Sequence, residues 1–108
     1  MQAGRMPGGR DFDAVFREGA SAQGPFFVLR RRAASGARLG FAVGKRLDKR
    51  ATVRNRVRRR LRAAFFGVEL AEGDYVVVAR AAALHADFPS LAREARRTSA
   101  RFAEERRA

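Results

Sequence analysis

The chain has no cysteine and no tryptophan, a single histidine, three prolines and only 11 acidic residues against 24 basic ones. Each shortage closes a class of function. Without cysteine there is neither a disulfide framework nor a thiolate metal site, and His85 alone cannot build a histidine one. A Ser-His-Asp triad would also rest on His85, which sits in a Pro- and Ala-rich connection without a nucleophile motif. A self-sufficient enzyme is therefore not expected. No apolar run approaches the roughly 18 residues of a membrane helix, and residues 1 to 10 lack the apolar stretch of a signal peptide. The expectation is a cytoplasmic protein with no membrane partner, and the lack of cysteine fits a reducing compartment.

What is present is 108 residues, enough for one domain. The hydrophobic share of 46% overstates the core, because 22 of those 50 residues are alanine. The formal charge is +13, and 22 of the 24 bases are arginine. Such a surface repels itself unless a polyanion covers it. The charge is also local: residues 44 to 62 hold ten bases and one acid, Asp48, so 19 residues carry +9 of the +13. A surplus serving solubility alone would be spread out and mixed in sign.

Along the chain, residues 1 to 9 are small and Gly-rich and read as a flexible N-terminal segment. Phe12, Val15 and Phe16 recur at i, i+3 and i+4, which predicts a short helix over 10–18 ended by Gly19. Phe26 to Leu29 reads as a strand leading into Arg30, Arg31 and Arg32. After a turn at Ser35-Gly36, residues 38–43 alternate, so the two runs read as a hairpin. Gly40, Ala42 and Gly44 leave one side of that second strand bare, open to a helix or a ligand backbone. Val53, Val57, Leu61 and Phe65 form the buried stripe of a helix over 51–66, stopped by Gly67. Residues 74–80 hold an unbroken β-branched run, as in a central strand buried on both faces. Asp87 and Pro89 open a last helix with Leu91, Ala95, Thr98 and Phe102 inside and Arg93, Arg96, Arg97 and Arg101 outside. The sum is an α+β chain with one sheet and helices packed on it.

On the wheel of the middle helix, Arg54, Arg58 and Arg62 line one flank of the apolar stripe. Arg56 and Arg60 line the other, and Asn55 and Arg59 point away from the core. Guanidinium forks bind phosphate oxygens in pairs, Asn55 can bond phosphate or ribose, and the helix N-terminus favours anions. A membrane-surface helix fits less well, since the stripe suits a core and no tryptophan is present.

Three other signals carry less. Gly40, Gly44, Lys45 and Arg46 resemble a P-loop, but the spacing is one residue short and Arg46 stands where Ser or Thr is needed. Asp11 and Asp13 are weak as a metal pair and fit helix charge balance better. Phe12 and Phe16 read as core anchors, the commoner fate, or as a stacking platform for unpaired bases.

The run Gly44-Lys45-Arg46, Lys49-Arg50 and then Val53-Arg54-Asn55-Arg56-Val57-Arg58-Arg59-Arg60-Leu61-Arg62 closely resembles the signature of the bacterial ribonuclease P protein component. Phe12-x-x-x-Phe16-x-x-Gly19, Phe27-Val28-Leu29, Leu39-Gly40-Phe41-Ala42-Val43 and Asp74-Tyr75-Val76-Val77 follow in the family's order. The resemblance implies one such domain over 10–106, folded α-β-β-β-α-β-α on a single sheet. A left-handed β-α-β crossover, a ribosomal-protein-like two-layer sandwich and a short first strand near 21–23 belong to that implication.

The resemblance also implies a function: assisting a catalytic RNA in removing the 5′ leader of precursor tRNA. Lys45, Arg46, Lys49, Arg50, Asn55, Arg56, Arg59 and Arg60 are then expected to meet the RNA subunit. A leader cleft is expected from Phe12, Phe16, Arg30, Arg54, Arg58 and Arg62, with Arg30 replacing an aromatic residue frequent in the family. No catalytic group and no metal ligand is expected on this chain. Mg2+ is expected mainly on the RNA partner, and no obligate protein partner is expected. The rival readings are a ribosomal or assembly-type RNA clamp without leader preference, a DNA-binding regulator and an intrinsic metal nuclease.

Overall fold

The computed structural model describes residues 3–6 and 8–107. The elements run β1 (Gly4–Arg5), α1 (Arg10–Glu18), β2 (Ala20–Gln23), β3 (Phe27–Arg32), β4 (Ala37–Ala42), α2 (Ala51–Phe65), β5 (Gly73–Ala79), a 3-10 turn (Ala81–Leu84) and α3 (Phe88–Arg107). The five strands form one sheet in the order β1-β4-β5-β3-β2.

β5 occupies the centre because its residues 73–77 are buried, and a strand with no wet face must find hydrogen-bond partners on both edges. It pairs antiparallel with β3 and parallel with β4, which it follows through α2. This overturns the expected hairpin between 26–29 and 38–43: β5 lies between those strands. The turn at Ser35-Gly36 serves the insertion, since the Gly73 N–H donates to the Gly36 carbonyl at 2.8 Å. The hairpin that does form joins β2 to β3, with Ala22 opposite Leu29.

The N-terminal segment, expected to be flexible, is partly built into the sheet. Gly4 and Arg5 pair with Arg38 and Leu39, the Met6 N–H donates to the Leu39 carbonyl at 3.1 Å, and Met6 is buried. An open β4 edge supplies the partners that a Gly-rich segment takes up. Met1, Gln2 and Pro7 lie outside the described residues.

Strand alternation divides the sheet into two unequal faces. Phe27, Leu29, Tyr75 and Val77 point to the face covered by α2 and α3, where Val57, Leu61, Phe65, Leu91, Ala95 and Phe102 close the main core. Its rings interlock, with Phe27 and Phe65 at 5.5 Å and Tyr75 and Phe102 at 6.0 Å between centroids. Each such side chain contributes about 1.5–3 kcal/mol on burial. The α2 stripe and the inner face of α3 lie where the spacing placed them, with Gly67 (φ 79°) accepting the left-handed conformation after α2. The other face carries only α1, over the small cluster of Met6, Val15 and Val76.

Candidate nucleic-acid interface

Arginine is a good helix former, so α2 tolerates its charge density once the stripe is buried. The loop before it is tightly folded. The Asp48 carboxylate accepts from the Arg50 N–H at 2.9 Å and from its guanidinium at 3.0 and 3.1 Å. Those bonds hold the Asp48 carboxyl at about 2, below the usual range. Arg54 folds back and donates to the carbonyls of Asp48 (3.0 Å) and Lys49 (2.8 Å).

The ten bases of this stretch thus separate into two sets. Arg50 and Arg54 brace the loop, Arg58 bonds Asn55 Oδ1 at 2.9 Å, Arg60 bonds the Ala86 carbonyl, and Arg62 lies 5.4 Å from the Phe41 ring centroid. The side chains of Lys45, Arg46, Lys49, Arg56 and Arg59 are exposed and have no hydrogen bond or ion pair among the described residues. They leave unneutralised charge on α2 and the loop before it.

A trough of about 670 Å³ opens at the β1 edge of the sheet, lined by Phe12, Gly40, Phe41, Arg58, Arg62 and Phe66, among others. Arg5 adds a third guanidinium to this lining, and no acid among the described residues joins it. The bare side of β4 is filled from within: a Cβ on Gly40 would fall 2.5 Å from the Phe12 ring. Phe12 is therefore a half-buried wall. Phe16 meets it edge-on at 6.4 Å and stands 40% exposed outside the lining.

Of the residues expected in a leader cleft, Phe12, Arg58 and Arg62 share the trough and Phe16 adjoins it. Arg54 and Arg30 instead turn to backbone carbonyls; Arg30 reaches those of Phe16 (2.9 Å) and Gly19 (3.4 Å). Sequence reasoning missed Phe66, 81% exposed at the trough's lip. The signal was there, since of two adjacent phenylalanines at a helix end only one can face the core.

Asp74, buried in β5, takes both Arg38 Nε (2.8 Å) and Nη2 (2.9 Å), and Arg32 at 3.3 Å. The same arginines reach α1, Arg38 at Asp11 (3.3 Å) and Arg32 at Glu18 (3.2 Å). The Arg38 hydrogen bonds hold the Asp74 carboxyl below its ordinary value against the opposing effect of burial. The helix that carries Phe12 and Phe16 is thereby tied to the sheet at both ends.

The profile of the family described as Ribonuclease P matches residues 2–103. The chain belongs to the ribonuclease P protein family. It is similar to the ribonuclease P protein component of Symbiobacterium thermophilum, 42% identical over 86 residues that cover 74% of each chain. Against the Xanthomonas oryzae component identity is 52% over 56 residues, half of this chain and 39% of that protein, so the match spans well under half the length of those relatives. Among solved structures, the RNase P protein from Thermotoga maritima aligns with a TM-score of 0.73 at 31% identity, covering 85% of this chain and 91% of that one. The Staphylococcus aureus RNase P protein aligns with a TM-score of 0.75 at 24% identity over 94% and 96%, a likeness of fold.

Proposed function

We propose that this chain is the protein subunit of a ribonuclease P and assists a catalytic RNA in removing the 5′ leader from precursor tRNA. One observation carries the reading: a member of this family leaves five cations unpaired on α2 and the loop before it, and carries a trough walled by aromatic rings and lined by arginines, with no acid among the described residues that line it. Lys45, Arg46, Lys49, Arg56 and Arg59, backed by Arg50, Asn55 and Arg60, would meet backbone phosphates of the RNA subunit. Phe12, Arg58 and Arg62, with Phe16 alongside, would take the single-stranded leader, since unpaired bases lie on rings while their phosphates meet the cations of the rim.

In this reading the catalytic RNA holds the magnesium ions that cleavage needs. Among the described residues no three His, Asp or Glu side chains converge on a metal site. No helix among the described residues is long and apolar enough to cross a membrane.

The test is reconstitution of this protein with its organism's catalytic RNA at low magnesium. Added protein is expected to raise turnover of precursor tRNA and to favour precursor over mature tRNA, with no second protein needed. Binding should weaken with salt by about 0.7 log unit per neutralised phosphate on a single strand. Equal binding of precursor and mature tRNA would favour an assembly-type RNA clamp instead.

A further inference from the structure

Arg30 lies on β3 opposite Ser21 of β2 and Val76 of β5, on the face of the sheet that carries α1. An arginine there could serve as a free cation for RNA, but its donors are already committed. One terminal nitrogen donates to the Phe16 carbonyl at 2.9 Å and to the Gly19 carbonyl at 3.4 Å, and the other to Ser21 Oγ at 3.0 Å. Its Nε is buried and has no partner among the described residues. The guanidinium carbon lies 5.8 Å from the centroid of the Phe16 ring, within the range of a cation–π contact.

These contacts serve two ends at once. The last carbonyls of a helix lack partners in the next turn, and Arg30 supplies them at the end of α1 while placing positive charge where the helix dipole is negative. It also fixes the ring of Phe16, whose aromatic neighbour is Phe12 at 6.4 Å. Little else holds that ring: Phe16 is 40% exposed and stands outside the apolar cluster under α1.

We propose that Arg30 is a positioning residue for leader binding: it holds the Phe16 ring in place for an unpaired base and touches no phosphate itself. The inference rests on the leader reading. A phosphate contact and a positioning role make opposite demands on salt dependence. Removing a contacted cation lowers the slope of log K against log salt by about 0.7 on a single strand. Removing a positioning residue lowers the affinity and leaves the slope unchanged.

The experiment is a double-mutant cycle of Arg30→Met and Phe16→Ala in the full chain, bound to the catalytic RNA. It reads affinity for precursor tRNA, for mature tRNA and for the RNA subunit alone. Arg30→Met is expected to weaken precursor binding about five-fold, part of what a stacked base contributes. Mature tRNA and RNA-subunit affinities should hold, since a general loss of folding would move all three. In the Phe16→Ala background Arg30→Met should have no further effect on precursor binding, because residues acting through one group are not additive. Ser21→Ala, which removes a single hydrogen bond, should give a smaller loss of the same kind, and it stands in if Arg30→Met does not fold. Additive effects, a fall in salt slope, or loss of RNA-subunit affinity in step with precursor affinity each overturn the proposal. A wild-type protein that ignores the leader would instead sink the underlying function.

Discussion

Arg32 and Arg38 on the sheet and Arg56 and Arg59 on α2 are the same side chain put to opposite uses. The first pair lies within 3.3 Å of Asp74, Asp11 or Glu18 and ties α1 to the strands beneath it. The second pair stands exposed with no ion pair among the described residues. A net charge of +13 therefore includes arginines neutralised inside the fold and others left for a partner. Electrostatic attraction to RNA draws on the cations that no carboxylate neutralises.

The largest effect should come from breaking the neutralised set. Asp74→Asn leaves two arginines facing a neutral amide, and unfolding in urea should show a loss of about 2–3 kcal/mol, less than the roughly 3–5 of a fully buried broken pair because both arginines reach solvent. RNA affinity of the folded protein should hardly change. Arg56→Ala with Arg59→Ala should do the reverse. Precursor and RNA-subunit affinity should fall about ten-fold or more at moderate salt, with a salt slope shallower by roughly 1.4–1.8 for two lost phosphate contacts. Thermal stability should hold within about 0.5 kcal/mol, as is usual for surface changes.

Acid titration sharpens the contrast. The folded-state pKa of Asp74 lies below its unfolded value, so its contribution is fully present above about pH 4 and disappears as the pH falls through the folded value. Wild-type stability should decline along that limb more steeply than Asp74→Asn stability. The smallest effect is expected at Phe66. Its exposure leaves little burial to lose, so Phe66→Ala should leave the melting temperature unchanged while reducing leader-dependent affinity about two- to three-fold, less than a fully stacked base contributes. Fluorescence from a base analogue placed along the leader would report contact at that lip.

The parts of this fold that sequence could reveal are those decided by neighbours in the chain. Val57, Leu61 and Phe65 announce α2 because their spacing is the helical period itself, and Tyr75 to Val78 announce a doubly buried strand. Where that strand inserts is a matter of pairing with residues some forty positions away, and nothing in the run encodes it. β1 exists only because β4 has an edge to offer. Glu94 is buried in α3 to accept the N–H groups of Phe26 and Phe27, a demand set 67 and 68 residues earlier. The candidate site divides along the same line. The dense charge of α2 and the loop before it was legible from composition and periodicity, whereas the retirement of Arg30 and Arg54 into structural bonds follows from carbonyls that only the folded backbone brings near.

The contact between the Phe12 ring and Gly40 makes two distant positions answer to each other. A methyl group at 40 has no room while the ring is there, and a smaller side chain at 12 would leave a hole over the strand. Lineages descending from this protein should alter both positions in step or neither. Gly40→Ala alone should be tolerated poorly, and better when Phe12→Leu accompanies it.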